Sequence, residues 1–298
     1  MSKDLRDAFF DALFCIGRDD PNVIILTNDM DVFALREFKK SFPKQFINVG
    51  VAEQNMINVA AGLARCGKKV WVYGISSFVT FRCFEQIKFN ICSMNLPVTI
   101  VGMGAGVSFG SDGPTHHAIQ DISVMRSLPE MHIWNPPDAA SAEICAELSY
   151  RSSCSMYVRI DKGIRRSIYE TEQQVVTGYK VVRPLRMVNI ISTGYMTHIL
   201  SGIDWDVGIV DISRLKPINE DILQILYDSE TIICVEDNAR SGGLGTILSE
   251  IIADNALHTR LKRVSFPDRQ FFDYASRDWF HEKYELTLGH VKKLVYEN

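Results

Sequence analysis

The sequence predicts an α/β protein, with a parallel-sheet domain over residues 1–161 followed by a smaller α/β domain over 187–298. Three observations predict this. Near-continuous apolar runs such as NVIIL, KKVWVYG and PVTIVGMG alternate with helix-periodic segments, the pattern of strands buried on both faces by covering helices. A charged stretch over 162–186 interrupts the alternation and reads as a linker. A second, shorter alternation then begins.

The elements follow in order. Leu5, Phe9, Ala12, Leu13 and Ile16 form one helical stripe. NVIILTND is a strand that ends on polar residues. From Glu53 a helix carries Met56, Ile57, Val59, Ala60, Ala61, Leu63 and Ala64, and Gly67 stops it. KKVWVYG is the next strand, and 83–93 is helical. PVTIVGMG, MHIWNPPD and SMYVRID are further strands, with helices near 117–127 and 138–150 between them. In the second domain VNIIS, DVGIVDIS, TIICVED and RLKRVSF are strand-like, with helices near 219–227 and 244–255. Ligands of such sheets bind beyond the carboxyl ends of the strands. The polar tails TND, GMGAGVSFGSDGPTH and RID fall there.

Composition narrows the class. The chain has 298 residues, 46% hydrophobic and 23% charged, which suits a globular fold with an ample core. A net charge of −4 without a Lys/Arg run argues against a nucleic-acid surface. No apolar run approaches the roughly 20 residues of a membrane span. MSKDLRDAFFDALF is charged and helix-periodic, unlike a secretion signal. The seven cysteines are scattered and form no CxxC pair, so they read as reduced thiols of a cytoplasmic protein without a metal site of its own.

Several residues are candidates for chemistry. Glu53 opens an apolar helix, with no Lys or Arg near it in sequence. An acid there is stabilised by the helix dipole alone, or it works in a dry pocket. Phe78, Phe81 and Phe84 recur at helical spacing in SFVTFRCF, the spacing of a core stripe. In DGPTH, Gly113 and Pro114 fix a turn. Thr115 can cap the following helix, so that Asp112 and His116 face a site or merely cap in their turn. His117 is a helix-face residue. Asp29, in LTNDMD, is a strand-end or turn aspartate.

NVGVAEQNM resembles the segment that holds the catalytic glutamate of thiamine diphosphate enzymes of the transketolase family. FPKQFINVGVAEQNMINVAAGLA, FVTFRCFEQIK, GSDGPTHHAIQDISVMRSLP, DISRLKPIN and VEDNARSGGLG stand in the order found there and span nearly the whole chain. The chain is thus similar to the pyrimidine-binding domain plus the C-terminal domain of a transketolase. The resemblance implies that Glu53 hydrogen-bonds N1′ of the cofactor's aminopyrimidine. That bond favours the tautomer that takes the proton from thiazolium C2. It implies that an aromatic stacks on the pyrimidine, Phe81 first and Phe78 second, with Phe84 third. It implies Asp29 near the cofactor, Asp112 on a substrate hydroxyl, His116 on the reacting oxygen, and Arg6 and Arg159 on a sugar phosphate.

Three departures shape the expectation. The family's cofactor-diphosphate region, with its GDG stretch and downstream Asn, is absent from this sequence. Mg²⁺ and the diphosphate are therefore expected mainly on a separate partner subunit, in an α2β2 assembly with homodimerisation. A phosphate-gripping Ser of the family falls at Phe33 and a His at Gly104. This puts ordinary pentose phosphates in doubt and leaves a modified, unphosphorylated or nucleotide-linked sugar open. The second domain is short between STGYMTHIL and DVGIVDIS, and Gly242 and Gly243 read as structural. The function implied is transfer of a two-carbon ketol unit between sugars by a split transketolase. The alternatives are a 2-oxoacid dehydrogenase β-type subunit, a deoxyxylulose-phosphate synthase-like subunit, and a catalytically silent partner. DGPTH favours ketol transfer over the dehydrogenase.

Overall fold

A computed structural model of the chain describes residues 3–30 and 33–297. Five buried residues in a row make strand β1, Val23–Thr27. The strands that follow are β2 (Phe46–Asn48), β3 (Lys69–Ile75), β4 (Val98–Met103), β5 (His132–Trp134) and β6 (Met156–Ile160). Together with β10 (Arg214–Lys216) they form a seven-stranded sheet in the order β10-β5-β6-β4-β3-β1-β2. All neighbours are parallel except β10, which runs antiparallel to β5.

Helices cover both faces, as the unbroken apolar strands require. On one face, Met56, Ile57, Ala60 and Ala61 of the Glu53–Arg65 helix pack with Ile24, Leu26, Val70 and Val72. On the other face the Leu5–Asp19 helix packs Leu5, Phe9, Phe10 and Leu13 against Val23, Ile25, Trp71 and Tyr73. Asp4 caps that helix by accepting the Arg6 N–H at 2.9 Å. Asp138 and Ser141 form a reciprocal cap at the start of the neighbouring Ala139–Arg151 helix. The expected helix over 83–93 is Phe84–Gln86 followed by a wider π turn, Ile87–Cys92.

The smaller sheet has five strands in the order β12-β11-β8-β9-β7. These are β7 (Tyr179–Arg183), β8 (Val188–Ser192), β9 (Gly208–Ile212), β11 (Thr231–Ala239) and β12 (Arg260–Phe266). Strand β7 pairs antiparallel with β9, and the other pairs are parallel. The stretch 162–186, read as a linker, thus contains an edge strand and the Glu172–Thr177 helix. Its charges hide three anchors, because Ile168, Tyr169 and Val175 are buried. The Tyr169 hydroxyl donates to Asp211 at 2.7 Å. Between STGYMTHIL and DVGIVDIS the helix is the six-residue Tyr195–Leu200.

The two sheets share a core. Ile122, Met125, Leu128 and Ile133 lie in one apolar cluster with Ile212, Leu215, Ile222 and Leu226. Strand β10 is a second tie, because it leaves the smaller sheet to extend the larger one. None of the helices among the described residues is long and apolar enough to cross a membrane.

Candidate active site

The sheet order locates a crevice. From β1 the chain runs outward through the Phe33–Ser41 helix to β2, then crosses back through the Glu53–Arg65 helix to β3, on the other side of β1. The direction of winding reverses between β1 and β3, where ligands of parallel sheets bind. Three segments meet at that crevice: Asn28 and Asp29 after β1, Glu53 at the helix start after β2, and the Ser76–Thr80 helix after β3.

Glu53 lies at this crossing and is 2% exposed. The Asn28 Nδ2 donates to its Oε1 at 2.9 Å, and the Arg82 Nη1 donates to its Oε2 at 2.7 Å. Burial by itself would raise the carboxyl's pKa. The helix-start backbone N–H, Asn28 and Arg82 outweigh burial and hold it below the usual range. The cation missing from the local sequence is therefore supplied from 29 residues away. The guanidinium of Arg82 also lies over the Phe78 ring, 4.7 Å from its centroid.

The three aromatic rings separate. Phe78, the second choice, meets both Arg82 and, at 5.0 Å edge to face, the ring of His116. Phe81, the first choice, is 37% exposed and faces another cleft, lined by Pro114, Thr115, His117, Gln120, Val124 and Gln270. Phe84 packs half-buried against the core. Helical spacing places these rings on one stripe, but the short Ser76–Thr80 helix ends at Thr80 and splits it.

The glycine-rich loop runs from Met103 to the turn Pro114–His116. Its glycines permit contact with the second domain. A Cβ on Gly106, at φ +59°, would run into the Asp237 carboxylate, and one on Gly113, at φ +85°, would run into the Tyr274 ring. A side chain at Gly104, at φ +90°, would collide with the Phe109 ring. Thr115 does not cap the next helix, which starts at Asp121 without a side-chain cap. Instead its Oγ1 lies 3.1 Å from His116 Nδ1, while its carbonyl accepts from Ser77 Oγ at 2.8 Å. Asp112 is exposed on the same loop. His117 is not on a helix face but buried against Phe280, and burial lowers its pKa.

The remaining expected residues separate. Asp29 adopts φ +65° and pairs with Asn48, while its neighbour Asn28 reaches Glu53. Arg6 is half-buried and ion-paired with Asp7 at 3.1 Å. Arg159, expected to grip a sugar phosphate, is 2% exposed. Its Nε donates to Asp121 at 2.7 Å, and its Nη2 donates to the carbonyls of Ala118 and Asp237 and to Asn238 Oδ1. Buried and engaged through Nε and Nη2, Arg159 ties the two sheets together. Below the loop, Arg277 joins Asp161 at 2.7 Å and Asp237 at 3.2 Å, and Arg165 pairs with Asp161. Burial would raise both aspartates, but the flanking cations hold them low.

Sequence reasoning missed Asn28 and Arg82. Asn28 sat unread beside the chosen Asp29. Arg82 sat inside the quoted SFVTFRCF, where its charge among aromatics was the available signal. Gly242 and Gly243 do act structurally: the Glu236 carboxylate accepts the Leu244 and Gly245 N–H groups at 2.7 and 2.9 Å, where a Cβ on Gly243 would sit.

Comparison with known proteins agrees with this architecture. Residues 1–166 match the transketolase pyrimidine binding domain and residues 178–291 the transketolase C-terminal domain. One of the subunits of the apulose-4-phosphate transketolase of Phocaeicola vulgatus is 30% identical over 286 residues, covering 92% of this chain and 91% of that protein. The 6-deoxy-6-sulfo-D-fructose transketolase subunit SqwH of Clostridium sp. strain MSTE9 is 27% identical over 306 residues, covering 98% and 94%. A split-gene transketolase, solved as an inactive β4 tetramer, superposes with a TM-score of 0.85 at 28% identity, covering 98% and 97% of the two chains.

Proposed function

The chain belongs to the transketolase family, as a subunit of the split type, and we propose that it transfers a two-carbon ketol unit between sugars together with a separate diphosphate-binding subunit. The observation that carries this reading is Glu53: a carboxylate 2% exposed, at the switch point of the sheet, bonded to Arg82, whose guanidinium lies over the Phe78 ring. The bonds from Asn28 and Arg82 offset the cost of burying the acid, and its position at the switch point, where ligands of parallel sheets bind, favours a catalytic role over a scaffold.

The residues present fit an aminopyrimidine ring. Glu53 offers a carboxylate to a ring nitrogen. Asn28 Oδ1 is buried beside it without a hydrogen-bond partner, an acceptor for an N–H donor. Phe78 offers a flat face, with Phe81 and Phe84 further along. Thiamine diphosphate, when bound, supplies the nucleophilic carbon and the electron sink. No group of three or more His, Cys, Asp or Glu among the described residues is placed to hold a metal. In this reading Mg²⁺ and the diphosphate sit on the partner subunit, as hard oxygen ligands and phosphate oxygens demand.

The chain's own residues then divide the work. Asn28 fixes one carboxylate oxygen of Glu53, and Arg82, half exposed, is the exchangeable partner of the other. With Thr115 on Nδ1, His116 keeps Nε2 for a substrate oxygen, where it donates a hydrogen bond or moves a proton. Asp112, exposed on the turn beside it, is placed for a sugar hydroxyl. The sugar reading is further supported by the names of both relatives, which are transketolase subunits for sugar substrates.

The test is reconstitution with the diphosphate-binding subunit, thiamine diphosphate and Mg²⁺, followed by ketol transfer between a panel of sugars. Glu53→Gln lowers transfer by at least ~10²-fold, the usual size of a general acid–base contribution. Full activity in that variant leaves the scaffold reading standing instead.

A further inference from the structure

With Arg159 buried, the terminal group of a sugar needs another cation, and the structure points to one. A chain of ring and cation contacts runs from Glu53 across the site. Arg82 lies over Phe78, Phe78 meets His116 at 5.0 Å, and His116 meets Phe109 at 6.5 Å. At the far end, the Lys162 Nζ sits 4.9 Å from the Phe109 centroid. Lys162 is exposed. Among the described residues its ammonium has neither an ion pair nor a hydrogen bond, and its contact is the Phe109 ring.

Lys162 lines a cleft of about 470 Å³ with Asp4, Ser108, Gly163, Tyr195 and Arg277. The other charges there are already engaged. Asp4 accepts the backbone N–H groups of Arg6 and Gly163. Arg277 is matched by Asp161 and Asp237, and Ser108 donates to Asp161 at 2.6 Å. Lys162 is thus the unspent cation of the cleft, two ring contacts from His116.

We infer that Lys162, and not Arg159, receives the anionic terminal group of the sugar substrate, a phosphate or sulfonate carried on the carbon farthest from the transferred unit. The inference rests on the ketol-transfer reading and deepens it, by making the substrate an anionic sugar. An ammonium on a flexible stem meets such a group as a point charge. Phe109 holds the ammonium beside the site, which limits the entropy lost on binding.

The test uses the reconstituted two-subunit enzyme and Lys162→Gln, with Lys162→Arg as the conservative variant. D-ribose 5-phosphate and D-ribose serve as acceptors, and binding of each is measured by calorimetry at low salt. In the wild type the phosphorylated acceptor is preferred. In Lys162→Gln the ratio of kcat/KM for the phosphorylated over the plain sugar falls at least tenfold, through KM, and Lys162→Arg recovers most of it. A ratio unchanged by Lys162→Gln, or a wild type without preference, overturns the inference while ketol transfer stands. Absence of any transfer, with phosphosugar binding that still depends on Lys162, removes the ketol-transfer reading and keeps the cation. Loss of neither binding nor preference in the variant removes the role of Lys162 in every case.

Discussion

Removing Arg82 tests how Glu53 is held. The 2.7 Å bond between Arg82 and a carboxylate 3% exposed is charge-assisted, and such bonds contribute about 1.5–3 kcal/mol. The Arg82 side chain is 46% exposed, however. Water screens it, and the coupling falls toward ~1 kcal/mol. A double-mutant cycle isolates that quantity: Arg82→Gln, Glu53→Gln and the pair, followed by urea unfolding of the chain. The sign with pH is fixed. Glu53 is held below the usual carboxylate range, so its contribution is complete above that range and is lost as pH falls through the folded value. The expected coupling is ~1 kcal/mol near neutral pH, vanishing in acid. Additivity of the two substitutions within ~0.3 kcal/mol at neutral pH refutes the pairing. So does a coupling that survives acidification unchanged.

Two further outcomes follow from buried charges. Arg159→Met leaves Asp121 buried and unpaired in charge, and it lowers stability by about 3–5 kcal/mol in urea unfolding; if it instead left stability intact and raised KM for phosphosugars alone, the tie between the sheets would be misread. Burial pushes the Asp211 carboxyl up to about 7, against the hydrogen bonds from Thr197 and Tyr169. A carboxyl raised in the fold stabilises it below the unfolded range, and that stability drains as pH rises through the folded value. The chain therefore loses ~2 kcal/mol between about pH 5.5 and 8.5. Asp211→Asn flattens that slope, and an unflattened slope assigns it to another group.

The apolar runs made most of the strands legible, since a parallel strand buried on both faces has to be apolar throughout. Glycine and proline marked DGPTH and GGLG in the same way, because the turns they permit are local. Residues 162–186 were read as a linker because charges recur throughout them, whereas three buried apolar side chains decide the packing. The Phe78–Phe84 stripe was visible, but which ring meets Arg82 and His116 depends on where a five-residue helix ends.

The sequence by itself determined the alternation of strands and helices, the buried acid at position 53 and the family. These rest on local periodicity and on motifs that are contiguous in the chain. Tertiary structure alone decided the partners of the charges. Arg82 closes on Glu53 across 29 residues, Arg159 on Asp121 across 38, and Arg277 on the carbonyl of Ala105 across 172. A guanidinium's fate, spent in a buried pair or offered to a ligand, depends on which carboxylate the fold brings within hydrogen-bond reach. Spacing along the chain does not encode that distance.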